Sequence, residues 1–216
     1  SEFEGINVIM YDTNRSSIQG NTISNFSWNN ASSDYWFCGI DALYGNQDVG
    51  TITGNVIGSG SGTGSISVTS TGSGYADLVG IYYEARWDDD GTQFNCRNNT
   101  IGSLTHGNTE ANGNADIVGI YVYPGNADIS NNTIGSLTTG NSINASSACL
   151  AGSQYVIGIW ADAYLDPGTV NISGNIIDHL TNGTTKPNPD GRGFINGIRA
   201  GSFSNAITDN TVRNLT

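Results

Sequence analysis

The side chains best suited to chemistry follow a recurring Gly-Ile dipeptide. An apolar-x-Gly-Ile string occurs six times, with its glycine at Gly5, Gly39, Gly80, Gly119, Gly158 and Gly197. The residue after each Ile is Asn7, Asp41, Tyr82, Tyr121, Trp160 or Arg199, and two further on stand Ile9, Leu43, Glu84, Tyr123, Asp162 and Gly201. Side chains of an extended strand alternate between its faces, so these two sets share the face opposite the Ile. Side by side they form an aromatic stripe, Tyr82, Tyr121 and Trp160, edged by Asp41, Glu84, Asp162 and Arg199. Apolar ring faces suit sugar rings, and carboxylates suit sugar hydroxyls. Tyr82, Tyr121, Trp160, Glu84 and Asp162 are therefore the candidate glycan-binding residues. The competing reading is a cross-strand stack that only stabilises a sheet.

Other groups carry weaker chemistry. Carboxylates on neighbouring strands stand about 5 Å apart, the separation retaining glycosidases use. Asp41, Glu84 and Asp162 do not share one column, however, and no further residue supports an acid or nucleophile role, so no catalytic residue is assigned. Asp88-Asp89-Asp90 precedes Gly91 in a turn, with Asp12, Asp48 and Asp166 at similar turns. Such oxygens can hold Ca²⁺, but without regular ligand alternation the run also reads as a solvated acidic turn. His106 and His179 have no His or Cys at ligand spacing. No nucleophilic serine or phosphate-loop signature is present. Cys96 stands at a core position, Cys38 beside Gly39 and Cys149 in a loop, a pattern from which no disulfide follows.

What would position these groups is an internal repeat. A second motif, Ile-x-x-Asn-x-Ile-x-x-Leu, places its Asn at Asn21, Asn55, Asn99, Asn132, Asn175 and Asn210. Three residues earlier come Ile18, Ile52, Cys96, Ile129, Ile172 and Ile207; five later come Phe26, Gly60, Leu104, Leu137, Leu180 and Leu215. The two motifs alternate, and successive glycines lie 34, 41, 39, 39 and 39 residues apart. The unit holds short β-branched stretches broken by Gly and Asn, with no helical periodicity. So small a unit cannot bury its own apolar face, but stacked copies can. The expected architecture is a single all-β domain over residues 1–216: a parallel β-solenoid of about six coils of roughly 39 residues. Its core is expected to hold the Ile of both motifs with Phe26, Leu104, Leu137 and Leu180. The residues before the Asn are Gly20, Gly54, Asn98, Asn131, Gly174 and Asp209, types that tolerate a left-handed corner. An Asn inside each corner is expected to hydrogen-bond its counterparts above and below, as a structural ladder.

The strings "ISNNTIGSLT" (129–138), "VNISGNIIDHLT" (170–181) and "AITDNTVRNLT" (206–216) resemble the right-handed single-stranded parallel β-helix, or pectin-lyase-like, superfamily, and within it repetitive secreted bacterial surface proteins. The resemblance covers nearly all of residues 3–216 and speaks to fold more than to function. Its enzymes cleave polysaccharides, but the Asn-Thr-Asp, Gly-His-Gly and Arg-Ile-Lys strings of polygalacturonases are absent here. Neither end shows a polar cap, so the chain is expected to be an excerpt that stacks on flanking coils.

Composition narrows the partners. The chain has 216 residues, 30 of them Gly and 27 Asn, and a net charge of −12. That surface repels phosphate backbones and anionic membranes, which excludes nucleic acid. No apolar run is long enough to span a membrane. The expectation is a non-enzymatic extracellular or cell-surface scaffold or adhesin segment, without a required cofactor, Ca²⁺ being the one candidate ion. Its partner would be a glycan or another surface component. The alternative is a polysaccharide-processing enzyme: a glycosidase, lyase or epimerase.

Overall fold

The computed structural model describes residues 2–11, 14–31, 35–74, 76–86, 91–123, 125–148, 153–162, 168–185, 192–201 and 204–216. Among them every regular element is a strand, and every strand pairing is parallel. The chain visits three sheets in turn and returns to the first one repeat later. The first sheet has six strands: Glu2–Ile9, Tyr35–Leu43, Ala76–Glu84, Asp116–Val122, Ser153–Ala161 and Arg192–Ala200. The second also has six, from Arg15–Ile18 to Ser204–Thr208. The third joins ten short strands, including Thr100–Gly102, Leu104–Asn108 and Ile176–Asn182. This all-β, parallel arrangement is consistent with a β-solenoid.

Register follows the sequence repeat. Ile6, Ile40, Ile81, Ile120, Ile159 and Ile198 are successive partners in the first sheet. In the third, Ile23, Ile57, Ile101, Ile134, Ile177 and Val212 form a second column. The columns meet at the Gly of the Gly-Ile motif. A Cβ on Gly119 would lie 2.5 Å from the Gly158 carbonyl oxygen and 2.8 Å from Ile134 Cγ2. Gly39, Gly80 and Gly158 show the same crowding against Ile57, Ile101 and Ile177. The glycine is needed because an isoleucine of the other motif sits directly on its Cα. Sequence motifs separated along the chain are thus two sides of one contact.

The asparagines form a hydrogen-bonded column. The backbone N–H and Nδ2 of Asn55 both donate to Asn99 Oδ1 at 2.9 Å, and those of Asn99 donate to Asn132 Oδ1 at 2.9 and 3.0 Å. Asn132 repeats this toward Asn175, and Asn175 toward Asn210. Each Nδ2 also donates to a carbonyl one repeat back, Asn132 to Cys96 and Asn175 to Ile129, both at 2.9 Å. Asn55, Asn99, Asn132 and Asn175 are at most 1% exposed, yet their amide groups are paired, which is what makes such burial tolerable. The corner residues Gly20, Asn98, Asn131, Gly174 and Asp209 have φ between 56° and 66°.

Insertions correct parts of the expected core. Ile52 is 83% exposed, and Val49 takes its place between Ile18 and Cys96. Val49 precedes its ladder Asn by six positions where Ile18 precedes Asn21 by three, so the extra residues bulge outward. The left-handed residue at that corner is Gly50, at φ 77°, rather than Gly54. Leu137 is 49% exposed; Ile143 fills the column beside Leu104 and Leu180, as Ile66 does in the repeat whose motif position holds Gly60. Residues 60–65 and 137–142 leave the stack as loops that meet each other: Gly62 N–H donates to Thr139 Oγ1, and Ser136 Oγ to the Gly60 carbonyl. Ile207, on an edge strand, is 48% exposed.

Asn132→Ala removes the acceptor of two Asn99 donors and the donor to the Cys96 carbonyl. It should cost about 3–5 kcal/mol in urea unfolding, against about 1 kcal/mol for Asn21→Ala at the partly exposed end of the column. Gly119→Ala should destabilise by about 3 kcal/mol, because its Cβ meets the Gly158 carbonyl, which cannot rotate away, as well as the packed Ile134 side chain.

Candidate functional site

The outer face of the first sheet carries the candidate residues. Asn7, Asp41, Tyr82, Tyr121, Trp160 and Arg199 are strand-to-strand partners, so the sheet does bring the three aromatic residues together. Glu84 pairs with Leu43 in the adjoining column, and Glu84 and Asp162 are both half-buried beside the rings.

The rings are engaged with one another. Tyr121 and Trp160 stack with centroids 4.7 Å apart and planes 13° from parallel. On the far side of Trp160 lies the Arg199 guanidinium, 4.5 Å from the ring centroid. Both faces of the indole are thereby taken, and its edge is what remains for a ligand. Tyr82 meets Tyr121 at 65° and 5.3 Å, and its hydroxyl donates to Glu84 Oε2 at 2.9 Å. Burial first, then the Glu84 charge and that hydrogen bond, hold the Tyr82 phenol far above its usual range. Burial, with the charge of Asp162, does the same to Tyr121.

Beneath the rings is a second apolar cluster. Cys38, Val79, Val118 and Ile157 point outward yet are 0–4% exposed, because Trp36, Tyr82, Tyr121, Tyr155 and Trp160 pack over them. These outward residues stand immediately before the motif glycines. The column two residues earlier holds Trp36, Asp77 and Asp116, with Tyr155 and Phe194 stacked at 4.9 Å. Reading alternation only after the Ile misses both columns. Continued back across the strand from the apolar residue two before the Gly, the same alternation finds them.

Three carboxyl groups on this face are pushed up by burial: Asp77 to about 6, Asp41 to about 7 and Asp116 to about 8. Asp116 accepts from the Tyr155 N–H at 2.8 Å and from Asn114 Nδ2 at 2.9 Å, which tempers its rise. The Asp116 carbonyl oxygen lies 2.8 Å from Nδ1 of buried His106, whose imidazole burial pushes down to about 4. His179 sits elsewhere, on a left-handed corner of the third sheet at φ 55°, with Nδ1 2.9 Å from Asp178 Oδ1. Burial alone would raise buried Asp178. Hydrogen bonds from Asn214 and Arg213, with the charges of His179 and Arg213, hold its carboxyl below the usual range instead.

Asp88, Asp89 and Asp90, the candidate Ca²⁺ ligands, lie outside the described residues, as do Asp12, Asp166 and Cys149. Among the described residues no group of three His, Cys, Asp or Glu side chains is placed to hold a metal ion, and Cys38 and Cys96 are buried free thiols. No helix among them is long and apolar enough to cross a membrane. The chain matches no family model, no curated protein and no solved structure.

The raised carboxyls predict an inverted pH dependence. Folded Asp41 and Asp116 keep protons that the unfolded chain has lost, so stability falls as pH rises through about 7 and 8. His106 acts oppositely, but between its folded value of about 4 and its unfolded 6.5. The window from pH 6.5 to 8.5 therefore isolates the carboxyls. Lowering the pH across it should raise Tm by about 5 °C, read by circular dichroism. A flat or opposite profile contradicts the assignment.

Proposed function

We propose that the chain is a non-enzymatic scaffold segment of an extracellular or cell-surface protein, meeting its partner through the outer face of the first sheet. In this reading it is a right-handed single-stranded parallel β-helix of six coils of roughly 39 residues, of the pectin-lyase-like kind. The hand follows from the strong preference of parallel crossover connections. The observation that carries the scaffold reading is the unbroken register of three parallel sheets around one asparagine column. Such a body resists shear between repeats, because every repeat is bonded to the next by sheet and side chain alike. The acidic, Lys-poor composition and polar loops suit an exposed surface role.

A glycan partner would be held at ring edges and by the carboxylates of Glu84 and Asp162, rather than by a sugar stacked on Trp160. Each contact is then modest, on the order of 0.5–1.5 kcal/mol, and useful binding comes from repetition. The test is to expose the chain to a panel of acidic and neutral polysaccharides, measuring bound ligand and released product together. The expected result is millimolar binding, weakened by Trp160→Ala with the fold intact, and no product. Binding indifferent to Trp160→Ala would remove the stripe from the site. Product release that vanishes on Glu84→Gln or Asp162→Asn would replace the scaffold reading with polysaccharide processing.

A further inference from the structure

Beside the first three strands of the first sheet, the outer face opens into a groove of about 430 Å³. Four carboxylates line it: Glu2 and Glu4 from the first strand, Asp41 from the second and Glu84 from the third. No cationic side chain is among the described residues that line it. Asp41 is 4% exposed, a degree of burial that aspartate rarely reaches without a partner. Asn7 Nδ2 donates to its Oδ2 at 3.1 Å and to Glu4 Oε2 at 2.6 Å, whereas Asp41 Oδ1, buried in the groove wall, has no hydrogen-bond partner. A buried carboxylate oxygen left in this state is costly, so the groove asks for a donor.

The groups that face Asp41 make the need sharper. From the first strand come Glu2, Glu4 and Asn7; from the third, Tyr82 and Glu84; from its own strand, the Cys38 thiol. Burial, the close approach of the Glu4 carboxyl, which favours a proton on one of the pair, and the charges of Glu4, Glu84 and Glu2 raise Asp41 to about 7. Near neutral pH the site therefore holds either a proton or an external cation.

The remaining walls select among cations. Trp36 and Tyr82 meet edge to face at 5.2 Å, and Leu43 completes the lining. A hydrated metal ion would seek oxygen ligands and make no use of these surfaces. An ammonium on an alkyl chain uses both, with its charge among carboxylates and against the rings and its methylenes on apolar carbon. We propose that this groove binds a primary ammonium group, the head of a lysine side chain or of a polyamine. Asp41 Oδ1 and Glu84 are its anionic partners, and Trp36 and Tyr82 its walls. The groove shares Tyr82 and Glu84 with the glycan reading, but neither Tyr121 nor Trp160 takes part, so Trp160→Ala should leave ammonium binding unchanged.

The test titrates the chain at low salt with Nα-acetyl-lysinamide and, separately, with spermidine, following backbone amide shifts by NMR. At pH 8.5 saturable shifts are expected at residues 38–43 and 82–84. They should need at least about tenfold more ligand at pH 5.5, where Asp41 carries its proton, and in Asp41→Asn at pH 8.5. Tighter binding of lysinamide identifies a protein side chain as the source, and tighter binding of spermidine a free polyamine. Glu84→Gln, on a half-exposed residue, should weaken binding about threefold and keeps the test open if Asp41→Asn fails to fold. The proposal is overturned by absence of shifts at pH 8.5, by equal binding of the uncharged Nα-acetyl-norleucinamide, or by undiminished affinity in the folded variants. Calcium chloride producing the same shifts at lower concentration would overturn it in favour of a metal.

Discussion

One buried carboxamide per repeat sets the geometry of this protein. An asparagine Oδ1 accepts two protons from the asparagine of the preceding repeat, and the same side chain's Nδ2 donates onward and to a carbonyl one repeat back. A group so placed cannot slide by one residue without leaving several buried donors and acceptors empty. The glycine column adds a steric condition to this polar one. Gly80 and Gly119 touch Ile101 and Ile134, side chains two residues beyond the ladder asparagines. The corner and the first sheet are therefore locked together, and each repeat repeats both conditions.

That lock decides what appears on the outer face. With register fixed, residues one repeat apart become neighbours at the strand spacing of about 4.8 Å. Tyr82, Tyr121 and Trp160 share one column and become a row of touching rings, while Glu4, Asp41 and Glu84, from different columns of adjacent strands, become a crowd of like charges. The face changes character along the axis. It is acidic beside the first strands and aromatic through the middle ones, and Arg199 closes the row over Trp160. Aromatic stacking here has two consequences. It seals Val79, Val118 and Ile157 from water, and it spends the ring faces that a sugar would have used.

The features that repeat were the ones legible in the sequence. Gly-Ile, the ladder asparagines and the left-handed corner residues recur because each answers a condition imposed in every repeat. Counting outward from them failed where the chain inserts residues. Ile52 and Leu137 match the motif spacing, but the strand takes Val49, just before one insertion, and Ile143, just after the other. A fixed offset cannot show this. Which residues share the stripe was legible, since alternation settles it. Ring orientation was not, because it depends on Arg199 and Tyr121 closing on Trp160 from both sides. Trp36, Asp77 and Asp116 were not legible by counting from the Ile, because alternation breaks at the glycine: Phe37 and Ile40 both face the core although they are three residues apart, and Trp36 and Cys38 both face outward.

Hydrogen exchange at the ladder asparagines tests the central claim most directly. The backbone and side-chain amides of Asn55, Asn99, Asn132 and Asn175 lie at corners, where amides ordinarily exchange through local opening. If the carboxamide column holds the repeats in register, these protons should exchange only with global unfolding, at the same free energy as the amides of Ile81 and Ile120 in the first sheet. Exchange of the Asn99 and Asn132 side-chain protons at rates typical of surface asparagines, while the sheet amides stay protected, would contradict it.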